Sequence, residues 1–236
     1  MNALRTRFVV TGCSRSGTTY ASELFTAAGF SCGHERVFNI LRVVDGSVLP
    51  APFRGHEDRD GDSSWLAAPY LGSLPPGSVV LHQVRHPLEV TRSHLGIRYF
   101  ADPMVLSMYL ADNHHDFLDV VRRFTPAALS SPDELDRCIA YWVEWNRLAE
   151  RAATMNDIVY VRYRVEEMTP GLFRRLVRLV DSGRDDHLLD RVVESVPRTV
   201  NTRPRAPALD WAALPDTPLK REAARMARSY GYDCPV

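Results

Sequence analysis

Three short apolar runs punctuate the chain: Phe8-Val9-Val10, Val79-Val80-Leu81 and Ile158-Val159-Tyr160-Val161. Each is too short for a packed helix and lies between turn residues or polar stretches, so each reads as a buried strand. The predicted strands cover about 7–11, 79–84 and 157–163, with a shorter one near 30–33. Between them, apolar positions recur at three and four residues. Ala21, Leu24, Phe25 and Ala28 share one face of a helix over about 18–28, which Gly29 ends in a left-handed cap. Leu135, Cys138, Ile139, Trp142, Trp145, Leu148 and Ala152 mark a long helix over about 132–153, opened by the capping box Ser131-Pro132-Asp133-Glu134. Further helices are expected from Pro87 and over about 170–180, 186–196 and 220–230, with a short one near 64–71. The stretch 45–64 has no period and several Gly, Pro and Asp residues. It reads as a long irregular connection, a kind of segment that often carries function. Strands alternating with helices place the chain in the α/β class.

The first strand feeds Gly12-Cys13-Ser14-Arg15-Ser16-Gly17-Thr18-Thr19, and a helix follows at once. Strand, glycine loop and helix form an anion cradle, because loop N–H groups and the helix dipole favour negative charge there. The spacing GxxxxGTT is a P-loop frame with Thr18 where a nucleotide kinase keeps its lysine. The missing lysine argues against ATP or GTP chemistry, and Arg15 can supply a cation instead. A second element lies at Arg85-His86-Pro87-Leu88-Glu89-Val90-Thr91-Arg92-Ser93. Arg85 ends a strand and Ser93 sits in the helix behind it, where α/β sheets bind ligands. A guanidinium and a hydroxyl together suit a phosphate.

These two segments resemble those of the sulfotransferases that use 3′-phosphoadenosine 5′-phosphosulfate (PAPS) and release 3′,5′-adenosine diphosphate (PAP). The likeness is concentrated in Arg7–Gly33 and Val79–Leu95. It implies a P-loop NTPase-like three-layer α/β/α fold with a central parallel sheet, and a single domain over 1–236. By the resemblance, Arg15 is the loop cation, and Ser16, Gly17, Thr18 and Thr19 hold the 5′-phosphate. Tyr20 stands where cytosolic members stack a tryptophan on adenine. Arg85 and Ser93, eight residues apart, correspond to the pair that holds the 3′-phosphate. The C-terminal RKGxxGDW segment of those enzymes is absent; Arg203 or Arg205 is a candidate to close over the 3′-phosphate, against a solvated basic loop. The implied reaction moves a sulfuryl group to a hydroxyl, or an amine, of a small-molecule, carbohydrate or natural-product acceptor. Variable loops near 36–70 and 99–113 would shape the acceptor pocket. The general base is Glu35, by its placement after the second strand, or His34, with His56 and Glu57 as further candidates. Two other readings stay open: a P-loop kinase using ATP and magnesium, and a PAP-binding protein without catalysis.

Composition changes this picture little. The 236 residues are 45% hydrophobic and 25% charged, with a formal net charge of zero. That fits a soluble domain and gives no bulk field toward nucleic acid or anionic membrane. No apolar run is long enough to span a bilayer, and the N-terminus shows no signal-peptide core. The four scattered cysteines suggest neither a metal site nor a disulfide framework, so a cytoplasmic protein without metal is expected. Lys220 is the sole lysine. Fixed cations here are therefore guanidiniums, whose planar forks suit phosphate and sulfate.

Overall fold

The structure, a computed structural model, describes residues 6–100, 114–200 and 205–235. Five parallel strands form one sheet among the described residues: β1 (Phe8–Thr11), β2 (Cys32–His34), β3 (Gly61–Ser63), β4 (Val79–Val84) and β5 (Val159–Arg164). Their spatial order is β2-β3-β1-β4-β5. Helices α1 (Thr18–Ala27), α2 (Ile40–Val44), α3 (Pro87–Gly96), α4 (His114–Phe124), α5 (Glu134–Glu150), α6 (Pro170–Val180), α7 (Asp186–Ser195) and α8 (Pro218–Ser229) surround it. No helix among the described residues is long and apolar enough to cross a membrane.

Strand alternation divides the interior into two cores. Phe8 and Val10 of β1, with Val79 and Leu81 of β4, pack against Leu24, Phe25, Phe173 and Val192 of α1, α6 and α7. Val9, Val80 and Val84 point to the opposite face, against Leu66, Val90, Trp142 and Trp145. Both faces of the sheet are covered, giving the expected α/β/α layers.

Three expectations need correction. The stretch 45–64 is not wholly irregular, because β3 enters the sheet there between β2 and β1. Its residues Gly61-Asp62-Ser63 carry no apolar signal. Gly61 is needed where a Cβ would lie 2.6 Å from the Phe8 ring, and Asp62 and Ser63 are buried through polar bonds. The segment 157–163 is an edge strand rather than a buried one: Val159 is exposed and only Tyr163 is buried. Its apolar residues serve both cores, Ile158 and Tyr160 one and Val161 and Tyr163 the other, but among the described residues β4 is its one strand neighbour. The long helix starts at Glu134, capped by the Asp133 side chain on the Asp136 N–H at 3.0 Å. Ser131, the expected cap, accepts from the Asp133 N–H instead. Gly29 does close α1 with a positive φ of 84°.

The glycine loop presses directly on β4. A Cβ on Gly12 would lie 2.1 Å from the Gln83 carbonyl oxygen. Gly12→Ala must push the loop off the sheet and should destabilise the fold by about 1–3 kcal/mol. Gly171→Ala, where nothing lies within 4 Å, should be neutral or slightly stabilising. Urea unfolding of the two variants checks the contrast.

Candidate active site

The site lies where the sheet's C-terminal strand ends meet α1 and α3. The loop between β1 and α1 turns through Arg15 and Gly17, with positive φ of 69° and 98°. Gln83, fully buried at the end of β4, fixes it. Its Nε2 donates to the Ser16 carbonyl at 2.6 Å, and Tyr163 Oη donates to its Oε1 at 2.5 Å. Sequence reasoning missed this clamp; a glutamine inside an apolar strand was its only signal.

Helix α1 starts differently from its neighbours. α2, α3, α5, α6, α7 and α8 each begin with a side chain capping a first-turn N–H. α1 begins at Gly17 with no side-chain cap and no acidic residue in its first turn. Its positive pole therefore lacks the partner that the other helices carry. Ser16 Oγ, fully buried, has no hydrogen-bond partner among the described residues.

The two motifs expected to cooperate do meet. Arg15 Nε donates to Ser93 Oγ at 2.9 Å, and Arg85 Nη1 donates to the Arg15 carbonyl at 3.0 Å. Arg85 is held from behind by Trp142, whose indole N–H donates to the Arg85 carbonyl at 3.1 Å. Burial, then the neighbouring Arg205 charge, pulls the Arg85 pKa below its ordinary value. Arg205 pairs with Glu89 at 3.1 Å, and Glu89 lies 3.7 Å from Arg85. Arg205 is exposed yet sits beside the Arg85 motif; Arg203 lies outside the described residues. Below the loop, Ser14 Oγ shares a hydrogen bond with buried His94 at 2.9 Å. Burial holds that imidazole well below its usual pKa, so it is neutral.

On the other side of the loop, Thr18 and Thr19 hydroxyls each lie 3.2 Å from His34 Nε2. Glu35 Oε1 is 3.6 Å from the same nitrogen. Each of these two side chains keeps 32% of its surface exposed, so both remain reachable. Burial lowers the His34 pKa to about 4, leaving it neutral at physiological pH. Burial and then the Asp62 charge raise the Glu35 pKa to about 7, partly opposed by a hydrogen bond from Trp65. Glu35 adopts a positive φ of 53°, uncommon for a residue with a side chain. Asp62 sustains that turn: its carboxylate accepts the N–H groups of Arg36 and Phe38, both at 3.0 Å. The Ser63 hydroxyl donates to the Thr18 carbonyl at 2.6 Å, tying β3 to α1. Neither Asp62 nor Ser63 was identified from the sequence.

The remaining candidates fall elsewhere. Tyr20 is 4% exposed and packs in the core with Leu24 and Phe25, so its ring offers little face to a base. Glu57 is exposed and accepts the Gly55 N–H. The expected acceptor loop over 36–70 is largely structured, holding α2, β3 and 3-10 turns over Trp65–Ser73. Most of 99–113 lies outside the described residues.

These elements define a P-loop-type α/β fold in which two arginine-bearing motifs meet. The fold is that of a sulfotransferase: it is similar to a sulfotransferase domain from the curacin biosynthetic pathway, with a TM-score of 0.52 at 12% identity. That similarity spans 99% of this chain and 100% of that one. No family model and no curated protein matches the sequence.

A raised carboxylate pKa has a consequence for stability. Between the ordinary value of 4.5 and about 7, the unfolded chain releases the Glu35 proton while the folded chain keeps it. Stability therefore falls with rising pH across that window. Glu35→Gln removes this loss, so its stability relative to the parent should rise by roughly 3 kcal/mol between pH 4.5 and pH 8. Denaturant titrations at the two pH values measure it.

Proposed function

We propose that the chain is a PAPS-dependent sulfotransferase acting on a hydroxyl, or an amine, of a small-molecule, carbohydrate or natural-product acceptor. The observation that carries this reading is the Arg15–Ser93 hydrogen bond with Arg85 on the Arg15 carbonyl. It joins one motif suited to a 5′-phosphosulfate with another suited to a 3′-phosphate. The residues fit the group. An uncapped α1 and the orphaned Ser16 hydroxyl both call for an anion.

In this reading Arg15, Ser16, Gly17, Thr18 and Thr19 hold the 5′-phosphosulfate, and Arg85, Ser93 and Arg205 the 3′-phosphate. PAPS supplies the sulfuryl group on a leaving group that departs with growing negative charge. Arg15 and the α1 N-terminus are placed to stabilise that charge, already organised before the reaction begins. Glu35 is the general base. Its pKa of about 7 matches neutral operation, because it is basic enough to take an acceptor proton and still substantially ionised. His34, neutral and bonded to the threonine hydroxyls, orients them beside the Glu35 carboxylate. The left-handed turn at Glu35 fixes the base relative to the loop, so positioning supplies part of the rate.

Calorimetric titration with PAP, beside ATP plus magnesium, tests the cofactor. PAP should bind and ATP should bind weakly; the reverse outcome restores a kinase. Arg85→Ala should weaken PAP binding by about 1.5–3 kcal/mol, the usual range for a bond to a charged group. Glu35→Gln should leave PAP affinity intact and lower turnover about 10²–10⁴-fold with labelled PAPS and a competent acceptor. Parent turnover should rise with pH and level off above about pH 7, as Glu35 ionises. Full turnover by Glu35→Gln would remove Glu35 from the base role.

A further inference from the structure

Arg92 precedes Ser93 on α3, and the phosphate motif gives it no role. Its guanidinium reaches three acceptors: Glu89 Oε1 at 2.7 Å and the carbonyls of Ala206 and Pro207 at 3.3 and 3.1 Å. The Ala206 N–H returns a bond to the Arg92 carbonyl at 3.1 Å. One residue thus ties segment 205–207 to α3 through both main chain and side chain, across more than a hundred residues of sequence. Arg205, at the start of that segment, lies on Glu89 Oε2 at 3.1 Å, the oxygen that is 3.7 Å from Arg85.

Arg15, Arg85, Arg92 and Arg205 stand close together, and Glu89 and Glu166 are the carboxylates that act on Arg85. Glu166 also accepts the His86 N–H at 2.8 Å and the Tyr232 hydroxyl at 2.8 Å. Like charges held at short range repel, and a dianion brought among them relieves that repulsion. A phosphate monoester carries about two negative charges at neutral pH. Holding Arg205 in place beforehand also lowers the ordering cost of binding.

We propose that Arg92 is a positioning residue that staples segment 205–207 to α3 and thereby sets selectivity for nucleotides bearing a 3′-phosphate. The inference rests on the reading of Arg85 and Ser93 as the 3′-phosphate site. Arg92 acts through Arg205 and Glu89 and needs no contact with the nucleotide.

The test is titration of the parent, Arg92→Ala and Arg92→Lys with PAP and with 5′-AMP, which lacks the 3′-phosphate. The parent should prefer PAP. Arg92→Ala should weaken PAP about 10-fold and leave 5′-AMP unchanged, since only pre-organisation at the 3′ side is lost. Arg92→Lys should recover part of the preference, because an ammonium lacks the planar fork that serves three acceptors. Should Arg92→Ala melt early, Ala206→Pro, which removes the returned N–H bond and restricts the Arg205 backbone, must also lower the ratio of PAP to 5′-AMP affinity. Equal weakening of both nucleotides, or unchanged PAP affinity, overturns the inference while the cofactor reading stands. A parent without preference for PAP overturns both.

Discussion

The approach of the glycine loop to the end of β4 is the constraint on which the site depends. Gly12 lies against the Gln83 carbonyl where no Cβ fits, and the Gln83 side chain holds the Ser16 carbonyl. Two residues further along the chain, Arg85 holds the Arg15 carbonyl. The end of one central strand therefore fixes both the glycine loop and the Arg85 guanidinium. A strand buried on both faces by two separate cores is a rigid base for such a device. Rigidity matters because transfer of a charged group is accelerated mainly by prearranged dipoles and positioning.

The second half of the site is built from groups that cost folding free energy. Glu35 is a partly buried carboxylate near the fully buried Asp62, and its main chain is in the left-handed region. Arg15 adopts the same uncommon conformation on the other side of the loop. Strained residues of this kind persist only where their surroundings determine them, and they gather where chemistry is done. Here the determining groups are identifiable. Asp62 holds the turn after β2 through two N–H groups, and Ser63 holds the Thr18 carbonyl. The three-residue strand β3 thus connects Glu35 to the glycine loop, and it does so through polar side chains rather than apolar packing.

The two basic motifs, the three longer strands, most of the helices and the α/β class could be read directly from the sequence. The reason is local: glycine spacing, apolar periodicity and caps are properties of neighbouring residues. The limits of that reading are equally physical. β3 was missed because Gly-Asp-Ser has no apolar pattern and is a strand only through its two parallel neighbours. The edge position of β5 was missed because an apolar run does not say how many strands pair beside it. The start of α5 moved by two residues because Asp133 and Ser131 compete for the cap, and local hydrogen bonding decided.

Sequence alone also fixed which residues could carry charge chemistry, since Arg15, Glu35 and Arg85 stand beside recognisable strand ends. Only the tertiary structure decided their states. Burial and the charge of Asp62, distant in sequence, raise Glu35 to about 7, and burial with the Arg36 charge takes His34 down to about 4. Packing also moved Tyr20 into the core and brought Arg205 beside Arg85. A side chain's chemical type is written in the chain, whereas its pKa, partners and exposure depend on desolvation and on neighbours that only folding assembles.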